Sequence, residues 1–178
     1  MNPAAIAATL GKLDRAIHAD PDKARAKYMP AIATAVGGLK CRVNGSGQVI
    51  ETDMPAAVGG ENSAPGPGWY FRASLAACCA TVIAQEAARR NVLIAKLVVT
   101  VDADGDLRGM LGLDDAISAG YRAIRTIVEI AASNAGSGQL EELVRWACVH
   151  SPVGRTVCDA PPNALNIITH DGDTAETP

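Results

Sequence analysis

Apolar residues near the N-terminus fall at Ile6, Leu10, Leu13 and Ile17, steps of four, three and four, while Lys12, Asp14 and Arg15 fall elsewhere. This stripe predicts a helix that docks on the rest of the chain. Asp20-Pro21 reads as an N-cap followed by proline at the first helical position, which predicts a second short helix from Pro21 to about Tyr28. Pro30 closes this helical prelude. From Ile32 to Asp53 the pattern changes to short runs of Val, Ile and Thr broken by Gly37-Gly38 and by Asn44-Gly45-Ser46-Gly47, and the punctuation predicts two antiparallel strands. Met54 to Gly68 holds three Pro and four Gly and is a loop.

Arg72 to Asn91 reads as a helix that is apolar on every side for three turns and charged only from Glu86, Arg89 and Arg90 onward. Such a helix belongs at the centre of a fold. Ala95 to Asp102 and Tyr121 to Ile130 read as strands, the second with Ile124, Thr126, Val128 and Ile130 on one face. Leu140, Leu143, Val144, Ala147 and Cys148 give the spacing of a half-buried helix. Asn163 to Thr169 reads as a last short strand and 171–178 as a flexible polar tail. Strands and helices in this order predict an α+β domain over 31–170, preceded by a helical extension over 1–30.

The chain has 178 residues, 48% apolar and 20% charged, which is enough apolar side chain for one folded domain. Aromatic residues make up only 3%, so the core must be aliphatic and base-stacking platforms are missing. With a net charge of −3 and no run of Lys or Arg, nucleic acid is not an expected partner. The longest mostly apolar, uncharged run, Ala73 to Gln85, is shorter than the roughly 18 residues a membrane span requires, so no membrane partner is expected either. The N-terminus lacks the charged start and cleavage site of a secretory signal, and the five cysteines, Cys41, Cys78, Cys79, Cys148 and Cys158, are an odd number. Free thiols in the cytoplasm are the expectation.

Cys78 and Cys79 sit in the all-apolar helix behind a Gly/Pro loop, and two readings of them stand side by side. Free cysteine packs as a small hydrophobe. Alternatively, Arg72, six residues earlier on the same helix, and the positive helix end stabilise a thiolate. The two thiols cannot bond to each other inside the helix, since neighbouring Cα atoms stand about 3.8 Å apart and a disulfide wants about 4.4 to 6.8 Å. Cys41 and Cys158, the latter in a loop, are assigned to packing or exposure. Cys148, His150, Cys158 and His170 match no paired zinc spacing. Asp102, Asp104 and Asp106 open like a calcium loop, but Leu107 and Leu113 stand where its Gly and Glu should be, and a turn between strands is the better account. Neither a metal nor a cofactor is expected.

The stretch TAVGGLKCRVNGSGQVIETDMPAAVGGENSAPGPGWYFRASLAACCATVIAQEAARRNV, with HSPVGRT much later, resembles the OsmC/Ohr superfamily of thiol-dependent hydroperoxide reductases. The resemblance runs from about Ala31 to Ile168. Its specific elements are Gly59-Gly60, the Leu75 to Cys78 segment after a Pro-rich approach, and Ser151-Pro152-Val153, which is similar to the family's Cys-Pro-Val. The resemblance implies an antiparallel sheet wrapped on a central apolar helix, and an intertwined homodimer with its active sites at the subunit interface. It also implies a small-molecule organic hydroperoxide as substrate and a thiol as reductant. The peroxidatic role carries over onto Cys78 and the resolving position onto Ser151, whose hydroxyl cannot condense with a sulfenic acid. The family's helix-initiating Glu falls near Gly68 and its strand Arg near Leu39, with Arg42 close by, so the cation is Arg72 or Arg42. Cys148, about one helical turn before Ser151, or an external thiol would then resolve Cys78. A second reading keeps the fold as a non-catalytic dimeric module that binds a small apolar ligand at the subunit interface, with Cys78 inert.

Overall fold

The computed structural model describes residues 2–170, so the predicted tail over 171–178 lies outside the described residues. Helix α1 (Pro3–Ala19) starts with proline at its first position, and the Asn2 side chain accepts from Ala4 N at 2.9 Å to cap it. Its Ile6, Leu10 and Ile17 are half-buried, but Leu13 is 52% exposed. The position on that face goes instead to Asp14, whose carboxylate accepts from Arg89 at 3.0 Å. The second predicted helix shrinks to a single 3-10 turn, Pro21–Ala24, because Tyr28 and Met29 have nothing to pack on and remain exposed.

Ile32 to Asp53 forms three strands where two were expected: β1 (Ile32–Gly37), β2 (Lys40–Gly45) and β3 (Gln48–Thr52), antiparallel in that order. Each glycine-bearing break is its own hairpin turn. Ser46 and Gly47 both have positive φ, 50° and 74°, as the tight turn between β2 and β3 demands. The register sets Arg42 opposite Thr34 on one side and opposite Glu51 on the other. This sheet meets the helices sparsely, the Tyr70 hydroxyl donating to Glu51 O at 3.1 Å, and β1 is exposed along its whole length.

Asp53 holds the loop after β3. The carboxylate is 2% exposed and accepts from the amides of Met54 (2.7 Å), Glu61 (3.2 Å) and Ser63 (2.9 Å) and from the Ser63 hydroxyl (2.8 Å). These donors, those of Ser63 foremost, hold Asp53 below its ordinary value. Gly59 turns the loop with φ 92°, and Gly60 passes so close to Met54 O that any Cβ there would overlap it. A lowered folded-state pKa means the ordering contribution is full above the ordinary carboxylate range and is lost as pH falls through the folded value. Protection of the Glu61 and Ser63 amides, taken relative to their intrinsic exchange rates at each pH, should therefore be lost only in acid. In Asp53→Asn it should be lost already at pH 7, since the new NH2 group faces amide donors. Unchanged protection in that variant would remove Asp53 from this role.

Helix α2 (Pro67–Arg89) begins five residues before the predicted Arg72, with Pro67 at its first position behind Gly66. Leu75, Cys79, Ile83 and Ala87 form its buried stripe, while Ser74, Ala77, Thr81 and Gln85 on the opposite side are exposed. One chain thus covers only one face of the helix expected at the centre. Glu86, read from sequence as the start of the solvated end, is buried because Arg90 Nε donates to it at 2.7 Å. Arg90 also bonds Glu142, at 2.9 Å.

Strands β4 (Ile94–Asp104) and β5 (Ala123–Ala132) pair antiparallel from Ile94↔Ala132 to Asp104↔Ala123, both displaced from the predicted limits. Ile124, Val128 and Ile130 turn inward as expected, whereas Thr126 is exposed. Between the strands a short helix, α3 (Leu107–Met110), is capped by Asp106. The three aspartates of this region are engaged by arginines. Arg125 bonds Asp102 and Asp104, each at 2.7 Å, and the Arg108 side chain and amide together bring Asp106 down to about 2. Helix α4 (Ser137–His150) buries Leu140, Leu143 and Ala147 against Cys79, Ile83, Ala87 and Val92. Cys158 ends a further helix, α5 (Pro152–Cys158), instead of lying in a loop. The strand expected over Asn163 to Thr169 is absent: Leu165, Ile167 and Ile168 are exposed and no strand lies opposite them.

Candidate active site

Where α2 buries Cys79, the adjoining Cys78 lies about 100° around the helix, half-buried on the flank. Its neighbour comes from the break between α4 and α5. Ser151 has extended backbone, ends α4 and caps α5, because Pro152 cannot continue the preceding helix. The residue is 1% exposed. Its Oγ accepts from Gly154 N at 3.3 Å, and its hydroxyl donates to Cys78 Sγ at 3.2 Å. Gly154 leaves room for this, since a Cβ there would stand 3.2 Å from Ser151 Oγ. With the amide donating to the oxygen, the hydroxyl proton is left for sulfur. Ser151 thus presents an O–H donor to the Cys78 sulfur at the junction of α4 and α5.

Cys148, expected beside Cys78, contacts Cys79 instead, with the two sulfurs 3.6 Å apart. Cys148 leaves α4 toward the buried stripe of α2, and Cys79, not Cys78, belongs to that stripe. Burial pushes the Cys79 thiol up to about 12, helped by the hydrogen bond and the charge of Cys148. Beside the pair lies a cavity of about 230 Å³, lined by Leu75, Ile124 and Val157 and by the thiols of Cys79, Cys148 and Cys158. Cys41 is half-buried on β2, opposite Ala35 and Thr52.

Neither candidate cation is hydrogen-bonded to Cys78. Cys78 lies about three turns inside α2, beyond the reach of the helix dipole. Arg72, roughly 9 Å back along the axis, donates to Tyr121 Oη at 2.8 Å, and that hydroxyl donates to Gly68 O at 3.2 Å. A Cβ on Gly68 would overlap the Tyr121 hydroxyl. The absence of a side chain at 68 and the presence of Tyr121 are therefore one feature: the phenol receives Arg72 in the space a side chain at 68 would fill. No local signal marked Tyr121, which read only as the start of a strand. Arg42, on β2, bonds Glu51 at 3.3 Å. Among the described residues no three His, Cys, Asp or Glu side chains are arranged to hold a metal ion, and His150 stacks on Trp146 with ring centres 3.9 Å apart. No helix among them is long and apolar enough to cross a membrane.

The chain matches no curated protein. Among solved structures it is similar to an OsmC-like protein from Mycoplasma pneumoniae, with 20% identity and a TM-score of 0.60 over 76% of this chain and 89% of that one. An organic hydroperoxide resistance protein, OsmC, from Legionella pneumophila is 21% identical, with a TM-score of 0.55 over 76% and 93%. One from Elizabethkingia anophelis is 14% identical, with a TM-score of 0.57 over 76% and 91%. At these identities the likeness is one of fold. The family model for OsmC-like proteins matches residues 60–165, which includes α2 with Cys78 and the whole of α4 and α5, and the chain belongs to the OsmC-like family.

Proposed function

We propose that this chain is a thiol-dependent reductase of organic hydroperoxides with Cys78 as the attacking thiol. The observation that carries the reading is the contact of the buried Ser151 hydroxyl with Cys78 Sγ, which fixes the position of a half-buried, unbridged thiol beside the break between α4 and α5. Family membership supports it, as do relatives described as organic hydroperoxide resistance proteins. The Cys78 thiolate attacks the distal peroxide oxygen, the O–O bond breaks, and the alkoxide leaves as alcohol after taking a proton. Ser151 cannot resolve the sulfenic acid and Cys148 faces Cys79, so an external thiol condenses with it and releases water. A second external thiol then breaks the mixed disulfide and restores Cys78. Arg72, held by Tyr121, and Arg42 are the cations assigned to the developing alkoxide.

Within its own chain Arg42 is paired with Glu51 and not with Cys78, so in this reading it reaches a Cys78 through a second copy of the chain. The uncovered face of α2 and the bare strand β1 would be closed by the same homodimer. Dissociation and unfolding should coincide. A folded monomer in sedimentation at low micromolar concentration would contradict this.

The test of the activity is consumption of cumene hydroperoxide with dithiothreitol as reductant, with dimedone trapping the sulfenic acid. The expected result is catalytic consumption and a dimedone adduct on Cys78. Consumption no faster than that of free cysteine, with Cys78 unlabelled, would overturn it. That outcome would favour a non-catalytic dimer that binds a small apolar ligand, a reading for which the loss of the family's second thiol at Ser151 argues.

A further inference from the structure

We infer that Cys79 and Cys148 form a second dithiol, separate from Cys78, that closes to an intrachain disulfide when an organic hydroperoxide oxidises Cys148. The two sulfurs already stand in contact at 3.6 Å, although their residues are 69 positions apart and lie on different helices. Bonding would bring them to about 2.05 Å, a closure of roughly 1.5 Å that side-chain rotation and a small helix shift supply. No other pair of the five cysteines is hydrogen-bonded through sulfur.

Access and chemistry divide between the partners. Cys148 is exposed and Cys79 is buried, and both line the cavity beside α5. Besides the thiols, its wall is Leu75, Ile124 and Val157 with Thr126, Ser151 and Gly154, and its exposed surface is mostly apolar, so it suits the organic part of a hydroperoxide. The Cys148 thiolate attacks the distal oxygen, the O–O bond breaks and alcohol leaves, giving a sulfenic acid on Cys148. Cys79 sulfur then attacks that sulfur. The S–O bond breaks, hydroxide leaves with the Cys79 proton as water, and the S–S bond forms. Two thiols are oxidised and one hydroperoxide is reduced to alcohol and water. Oxidation of Cys148 removes its charge from beside Cys79, while burial, the largest cause, still holds that thiol up, so the Cys79 proton passes to the departing hydroxide as the S–S bond forms.

The closed bridge would tie α2 to α4 one residue from Cys78 and three residues from Ser151, next to the contact that orients the reactive thiol. The inference takes only its oxidant from the proposed function.

The experiment treats the full chain with a small excess of cumene hydroperoxide, adds dimedone to one portion, and maps peptides without reduction. A Cys79–Cys148 linked peptide, two hydrogens lighter than its parts, is expected in the wild type and in Cys78→Ala. It should be lost in Cys148→Ser. Full alkylation of both thiols by iodoacetamide after this treatment would overturn the inference, as would a link between Cys148 and Cys78. The wild-type chain decides the matter even if a variant fails to fold. Dimedone on Cys78 reports on the proposed function in the same sample. A linked pair with unlabelled Cys78 would sink that reading alone, and labelled Cys78 without the link would sink only this inference.

Discussion

Cys78→Ser is expected to reduce hydroperoxide consumption by on the order of a thousandfold or more, to the background of the remaining thiols, while leaving the fold unchanged. The exchange keeps the shape of a half-buried side chain and removes only the atom that attacks. Stability should change by no more than about 1 kcal/mol. The neighbouring thiol supplies the control. Cys79 lies in the cluster with Ile83, Leu143 and Ala147, and burial keeps it protonated, so Cys79→Ala should lower stability by about 1–2 kcal/mol and leave turnover intact. Steady-state rates and urea midpoints of the two variants separate the roles. If Cys79→Ala loses activity and Cys78→Ser keeps it, the attacking thiol has been assigned to the wrong member of the pair.

The division between these two adjacent cysteines shows how much the sequence holds. Leu75, Cys79, Ile83 and Ala87 recur every four residues, which marks Cys79 as the inward member, but α2 is so rich in Ala and other apolar residues that every face reads alike. Contact with α4 makes the choice, and that contact is set by Leu140, Leu143 and Ala147 some 60 residues later. The same cause separates Cys148 from Cys78. Periodicity correctly turns Cys148 toward α2, yet it cannot say which residue of α2 it meets. Where one residue type forces the backbone the signal lies in the sequence but is easily passed over: Pro67 starts α2 although it falls in the stretch read as a loop, and the two glycine-bearing breaks around β2 separate three strands, not two. The signal was misleading where composition favours a strand but no partner exists, as at Leu165, Ile167 and Ile168. Glu86 and Tyr121 went unread because each is defined by an arginine brought in by the fold.

Ser151→Cys is expected to restore an internal resolving thiol and to change the fate of oxidised Cys78. Position 151 is buried and its side-chain oxygen already stands 3.2 Å from Cys78 Sγ. The longer carbon–sulfur bond carries the new thiol toward its partner, and Gly154 leaves space beside it. The cost is a weaker cap on α5, about 1 kcal/mol, since sulfur is a poor acceptor for the Gly154 amide. In the wild type, hydroperoxide in the absence of reductant leaves Cys78 as sulfenic acid and then, irreversibly, as sulfinic acid. In the variant, the new thiol attacks the sulfenic sulfur first, water leaves, and a disulfide to Cys78 forms that dithiothreitol reduces. Inactivation should then require at least about tenfold more hydroperoxide than in the wild type. Peptide mapping must show the new bond joined to Cys78, distinct from any link between Cys79 and Cys148. The bond requires both proximity and a reactive Cys78. If Cys78 stays a free thiol in this variant at hydroperoxide concentrations that oxidise free cysteine, the reductase reading fails and only membership of the fold family stands.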